Sequence, residues 1–311
     1  STLMRSSAAS DVYKRQQEGA VDGWYQTKFT LKEEPLVSIL IPNKDHTDDL
    51  DVCLNSFFER ADYQNYEFII IENNSVLPET FAYYEKIEKE HDNVKVVYWE
   101  AGFNYSAINN FGFKFAKGDY IMLLNNDVEL ITPDIFQSML GFCMRPEVGI
   151  VGAKLLYNDH TVQHAGVLVG AGGLADHVFK GIHEDDPGYM GRAISSQDVS
   201  AVTAACLLVK RSVYEEVGGL EDEFQVAFND VDFCLKVRKA GYLIVYNPYA
   251  ELYHYESKSR GAEDSPEKTA RFQREIEYMR NHWIGILKNG DPYYNPNFSS
   301  VYNNYSLKDN S

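Results

Sequence analysis

Between residues 36 and 124 short, almost wholly apolar runs alternate with amphipathic helical patterns, and few folds satisfy that alternation. Residues 36–42 (LVSILIP) lack the every-other-residue polarity of a one-sided strand, so they predict a strand covered on both faces. Residues 48–61 then place Leu50, Leu54, Phe57 and Ala61 on one helical face, with acids in the first turn. Residues 68–71 form a second buried run. Pro78 opens a helix carrying Phe81, Tyr84 and Ile87, since proline is tolerated where the amide has no partner. Residues 94–98 and 120–124 are further strands, with a helical stretch over 105–116 between them. Strands spaced in this way pair in parallel through right-handed crossovers. The first half is α/β.

The second half departs from that rhythm. Residues 148–157, 161–169 and 199–210 are strand candidates without full helices between them, which predicts a mixed or antiparallel edge. Residues 170–198, rich in Gly, Asp and His, form a loop too long to be a passive connection. Short helices are expected over 213–217 and 231–240, the latter ended by Gly241. A longer one over 266–287 carries Phe272, Ile276, Met279, Trp283 and Leu287 on one stripe. Its basic residues Lys268, Arg271, Arg274, Arg280 and Lys288 read as a solvated face. A peripheral membrane contact through that helix is the most that the pattern allows.

Composition narrows the function classes. With 44% hydrophobic and 14% aromatic residues among 311, the chain can bury a full core and is not disordered throughout. A net charge of −17 repels nucleic-acid backbones and anionic lipid surfaces, which excludes general nucleic-acid binding. A phosphate-bearing ligand bridged locally by a divalent cation remains compatible. Cys53, Cys143, Cys206 and Cys234 are scattered through apolar patterns with no paired spacing, as expected of buried thiols in a reducing compartment. No run of about 18 apolar residues and no signal-type segment is present, so a cytoplasmic protein is expected, at most peripheral at the inner membrane face.

In parallel α/β sheets ligands sit beyond the carboxyl ends of the strands. Those ends read Pro42-Asn43-Lys44-Asp45, Glu72-Asn73-Asn74-Ser75 and Asn125-Asn126-Asp127. Any one cluster is ordinary turn chemistry. Three after three apolar strands, converging on one edge, predict a polar site.

These segments resemble a known family. VSILIPNKDH, IIIENNS, FNYSAINNFG with AKGDYIMLLNNDVEL, and GGLEDEF with FNDVDFCLKVRKAGY and ELYHYES look like glycosyltransferase family 2, over about residues 22–298. More narrowly they are similar to its bacterial rhamnosyltransferase-like branch of surface-polysaccharide synthesis. The resemblance implies a GT-A fold, a Rossmann-like mixed sheet with flanking helices, here with a C-terminal helical extension. It implies an inverting transfer from a UDP- or dTDP-sugar to a glycan or lipid-linked acceptor, with Mn²⁺ or Mg²⁺.

Roles follow residue by residue. Asp127 sits where the family binds metal, with Asn125 replacing its first acid, and His254 falls where some members place a further ligand. Glu72 matches an acid that accepts N3–H of uracil or thymine; cytosine offers no proton there. Pro42, Asn43, Asp45, Asn73, Asn104, Asn110 and Asn126 complete the implied donor site. Asp230 matches the base, Asn229 replaces the acid before it, and His164, Asn229 and Asp232 are the implied acceptor side. Residues 36–130 then form the donor half and 131–258 the acceptor half of one catalytic domain, with 170–198 as an acceptor lid. Residues 18–35 are expected to pack on it as an extension, and 259–311 as a C-terminal helix and tail. Residues 1–17 look like non-native, adaptor-derived read-through, which would make the chain part of something longer.

The chemistry asks for such groups. Expelling a nucleoside diphosphate from an anomeric carbon builds negative charge on the leaving phosphate, which a divalent cation offsets. A carboxylate and an imidazole suit that cation, and a second carboxylate takes the acceptor proton. One alternative is a nucleotide- or glycan-binding module of the same fold that has lost catalysis, suggested by the two Asn-for-acid changes. A weaker one is a dehydrogenase, from the GxGxxA pattern Gly170-Ala171-Gly172-Gly173-Leu174-Ala175. His160 and His164, four apart on a strand, lie about 13 Å from each other and share no metal.

Overall fold

The protein is described by a computed structural model covering residues 14–19, 21, 23–256, 265–302 and 304–308. In chain order its strands and helices are β1 (Lys14–Glu18), β2 (Tyr25–Phe29), β3 (Val37–Asn43), α1 (Thr47–Arg60), β4 (Tyr66–Asn73), α2 (Pro78–Glu90) and β5 (Val94–Trp99). Then come α3 (Tyr105–Phe113), β6 (Tyr120–Leu124), β7 (Val128–Leu130), α4 (Ile135–Cys143), β8 (Val148–Leu156), β9 (Val162–His164), β10 (Val167–Val169) and β11 (Ala175–His177). The chain continues through β12 (Gln197–Val199), β13 (Cys206–Lys210), α5 (Arg211–Glu216), α6 (Asn229–Lys239), β14 (Leu243–His254), α7 (Pro266–His282) and α8 (Ile284–Asn289).

One mixed sheet organises the molecule, in the order β12-β14-β8-β13-β6-β3-β4-β5, with β7 beside β14 and β9 beside β8. β3 pairs in parallel with β4 and β6, and β14 with β8, while β13 runs antiparallel between β6 and β8. With only β12 and β13 reversed in this row, β3, β4, β6, β8 and β14 all end at one edge. Alternation within each strand feeds two cores. Ile39, Ile41, Phe68 and Ile70 meet α1, α2 and α4 on one face, while Leu40, Ile69 and Ile71 meet α3 on the other. That two-sided burial is why the runs carry no polar alternation. Phe57 of α1 sits edge-on to Phe68 and Phe136 at 5.8 and 5.9 Å, and burying such a ring contributes about 1.5–3 kcal/mol.

Several expectations change in the second half. The strand expected over 161–169 breaks at Gly166, whose φ of 102° no strand residue adopts, giving β9 and β10. The one expected over 199–210 is two, β12 and β13, joined by a loop over 200–205. The helix over 266–287 breaks at Trp283, whose indole donates to Asp232 at 2.7 Å. β14 and α4 are additions that the patterns did not announce. The glycine run after β10 is a tight turn into antiparallel β11, not a helix opening a βαβ unit, so the dehydrogenase reading falls.

Residues 1–13 lie outside the described residues, and Lys14–Glu18 pairs with Tyr25–Phe29. Phe29 stacks edge-on to Phe142 of α4 at 5.0 Å, and Lys28 pairs with Asp134 at 2.8 Å. All four cysteines are buried and free, and burial pushes the thiols of Cys143 and Cys206 up to about 12. No helix among the described residues is long and apolar enough to cross a membrane.

Candidate active site

At the shared carboxyl edge lies a cavity of about 700 Å³. Pro42, Asn43, Asn73, Asn126 and Asp127 line its wall under β3, β4 and β6. Asn229, Asp230 and His254 line the other side. Sequence positions more than 200 residues apart meet here because of register. β14 pairs antiparallel with β7, setting His254 opposite Val128, and the Tyr255 amide donates to the Asp127 carbonyl at 2.9 Å.

His254 Nε2 thereby lies 3.3 Å from Asp127 Oδ1, both residues being nearly buried. The imidazole is held from behind. Gln163 donates through Nε2 to the His254 carbonyl at 3.3 Å and to Glu256 at 3.2 Å, which turns its Oε1 toward His254 Nδ1 at 2.5 Å. Nδ1 therefore carries the proton and Nε2 keeps its lone pair, accepting from Asn125 Nδ2 at 3.1 Å. A lone pair and a carboxylate oxygen so close repel, and either a bound cation or a second ring proton relieves that repulsion. This donor set fits Mn²⁺ or Mg²⁺. Among the described residues no cluster of three or more His, Cys, Asp or Glu could hold a metal.

Asp230 stands in the first turn of α6, where the helix dipole favours a negative charge. Its Oδ2 accepts the Ala204 amide at 3.2 Å and its Oδ1 the Val231 amide at 2.8 Å, fixing the carboxylate at the cavity wall. Asn229 is buried and donates to the Val226 carbonyl at 2.8 Å, so it shapes the turn before the helix.

Six expected site residues do not line the cavity. Glu72 is buried with its carboxylate taken by the Ser75 amide, the Ser75 hydroxyl at 2.6 Å and the Tyr84 hydroxyl at 2.8 Å. Asp45 accepts the Val76 and Leu77 amides at 3.0 Å and so caps the entry to α2. Asn104 caps α3 through the Ala107 amide at 3.0 Å. Asn110 pins the turn at 219–222, accepting Tyr214 Oη at 2.7 Å and donating to the Leu220 carbonyl at 2.8 Å. Asp232 turns away to Trp283, and His164 is fully buried behind His177. In each case a short polar side chain satisfies neighbouring backbone or side-chain groups rather than a ligand.

Lys44 of the first polar cluster joins the lining as that cluster implied, and other residues join it unannounced: His177, Thr203, Glu256, Lys268 and Arg271. Lys268 and Arg271, expected on a solvated face, arrive because Glu275 anchors α7. Its carboxylate is 1% exposed and accepts the Val226 and Ala227 amides at 2.8 and 3.3 Å, with Arg271 beside it at 3.6 Å. A Glu on the apolar side of that helix was the available signal. Gln163 had none, its role being visible only once β9 lies beside β8.

The family model described as Glycosyl transferase family 2 matches residues 38–218. The chain is 45% identical over 293 residues to the uncharacterized protein y4gI of Sinorhizobium fredii, covering 93% of this chain and 32% of that protein. It is 36% identical over 281 residues to the O-antigen biosynthesis protein RfbC of Myxococcus xanthus, covering 88% of this chain and 21% of that protein. The chain thus spans about a third and about a fifth of these relatives. Among solved structures it resembles a mannosyltransferase of Pyrobaculum calidifontis with GDP-Man and Mn²⁺, at TM-score 0.56 and 14% identity over 79% of this chain and 65% of that one. It also resembles GalNAc-T7 with UDP, GalNAc and Mn²⁺, at TM-score 0.61 and 13% identity over 82% of this chain and 50% of that one. At such identities the likeness is one of fold.

Proposed function

The chain belongs to glycosyltransferase family 2 and has the GT-A fold, and from that footing we propose that it transfers a sugar from UDP or dTDP to a glycan or lipid-linked acceptor in cell-surface polysaccharide assembly. The observation that carries this reading is the meeting of Asp127, His254 and Asp230 on one cavity at the carboxyl edge of the sheet. The relative named for O-antigen biosynthesis supports the polysaccharide setting, and the two Mn²⁺-bound structures support a divalent metal. Donor class rests on the resemblance at Glu72. Because Ser75 and Tyr84 occupy that carboxylate, GDP belongs in any test beside UDP and dTDP.

In the proposed mechanism the donor lies along Asn43, Asn73 and Asn126 with its diphosphate toward Asp127 and His254. Asp127 and His254 would hold a divalent cation there, which would supply Lewis-acid offset of the leaving charge. Lys268 and Arg271 add positive charge from the rim. The acceptor hydroxyl attacks the anomeric carbon opposite the diphosphate while Asp230 takes its proton. The new C–O bond forms as the bond to phosphate breaks, and the diphosphate leaves with the electron pair. With a single displacement and no covalent sugar–enzyme intermediate, configuration inverts.

Thermal shift against UDP, dTDP, GDP and NAD, each with and without Mn²⁺, tests the donor site. A ligand at about 100 times its Kd stabilises the folded state by about 2.7 kcal/mol. Mn²⁺-dependent stabilisation by UDP or dTDP is expected, and silence across the panel would reject the donor site. Binding without any diphosphate release from sugar nucleotides would instead fit a module that has lost catalysis.

A further inference from the structure

Two imidazoles that the mechanism above does not use meet on the Asp230 side of the cavity. His164 Nδ1 lies 2.9 Å from His177 Nδ1, the rings nearly perpendicular at 82°. In such a contact between neutral rings, one nitrogen donates and the other accepts, and each ring's second nitrogen decides which. His164 Nε2 faces the Thr203 amide at 3.4 Å. A peptide N–H can only donate, so Nε2 holds a lone pair and the His164 proton sits on Nδ1. His164 therefore donates to His177, and the His177 proton is displaced to Nε2. Burial pushes both imidazoles below their usual range, with Asp230 acting the other way on His177, so both are neutral at pH 7.

The loop that sets this chain of protons also sets the base. Thr203 donates to His164 and the next amide, Ala204, donates to Asp230 Oδ2. Consecutive peptide groups thus fix the His177 tautomer and the Asp230 carboxylate together. His177 lines the same cavity as Asp230, and among the described residues no protein group accepts from its neutral Nε2–H. A neutral donor matches a sugar hydroxyl rather than a diphosphate, which the cations at the rim suit better.

We propose that His177 presents a fixed Nε2–H to the acceptor sugar, with His164 as the positioning residue that enforces this tautomer, so that the attacking hydroxyl is held at Asp230. This rests on the transferase reading above and extends it to the acceptor.

The tautomers are tested first, on the full chain labelled with ¹⁵N-histidine, by long-range ¹H–¹⁵N correlation at pH 7. His164 as the Nδ1–H form and His177 as the Nε2–H form are expected; the reverse pair, or an imidazolium, overturns the relay. Rates of nucleoside diphosphate release are then measured with methyl hexosides as acceptor probes for H177N, which keeps an acceptor near Nδ1 but is too short to place a donor at the Nε2 position, and H177Q, which restores a donor near Nε2. One lost hydrogen bond corresponds to roughly a tenfold rise in acceptor KM for H177N, out of proportion to donor KM, with partial recovery in H177Q. Equal changes in both KM values, no change, or losses that track thermal midpoints all overturn the acceptor role. A wild-type chain that consumes no sugar nucleotide rejects the transferase reading, and the spectra still decide the relay.

Discussion

Gln163 touches no proposed ligand, yet it decides what His254 can offer. Both of its amide hydrogens are committed, so its oxygen forces the His254 proton onto Nδ1. Replacing it with Leu is expected to weaken Mn²⁺ binding in the presence of UDP about 10–100-fold, read by calorimetry. Unchanged affinity would remove His254 from the ligand pair. Asp230→Asn keeps the side-chain shape but removes the proposed base and one of the two amide acceptors; sugar transfer should fall about 10²–10⁴-fold while Mn²⁺-dependent thermal stabilisation by nucleotide persists. Retained transfer would move the base elsewhere. That Asp127, Asp230 and His254 would share one cavity was legible because the motif series is ordered along the chain. Glu72, Asn110 and Asp232 were not, because a carboxylate or amide in a turn reads alike whether it meets a ligand or the protein's own amides.

At the scale of elements, α7 depends on one buried carboxylate. Glu275→Ala would leave the Val226 and Ala227 amides without their acceptor, at about 1–3 kcal/mol for each such group. A fall in thermal midpoint of several degrees is expected, together with weaker nucleotide binding as Lys268 and Arg271 lose their placement; an unchanged midpoint would show that α7 is held otherwise. α2 carries a pH dependence. Partial burial raises the Asp45 pKa, but the Leu77 and Val76 amides outweigh it and hold the carboxyl below its usual value. The sign is that of a depressed acid: its stabilisation is present above the unfolded pKa of about 3.9 and lost as pH falls through the folded value. The stability gap between wild type and Asp45→Asn should therefore be full at pH 6 and shrink toward pH 3 in urea titrations. The strands from β3 to β6 could be read from sequence because burial leaves short, nearly unbroken apolar runs. β14 could not, since Asn247-Pro248 interrupts its pattern and the sheet absorbs that interruption as a register shift between Asn247 and Glu251.

Across the whole molecule, the mixed edge was legible as an absence of helices, but its order was not. Nothing local says that β13 inserts antiparallel between β6 and β8, because strand order is set by which faces must be covered. The charge of −17 was equally plain, and it hid a contrast. Acids Asp127, Asp230 and Glu256 line the same cavity as Lys44, Lys268 and Arg271. Under the proposed function, an anionic sugar nucleotide approaching a chain of net charge −17 finds its nearest cations at that basic rim. On that reading the rim acts on arrival: it turns the donor so that its phosphates enter first and its sugar follows toward Asp230. Association should slow as salt screens the rim, and Lys268→Ala with Arg271→Ala should flatten that salt dependence in stopped-flow binding.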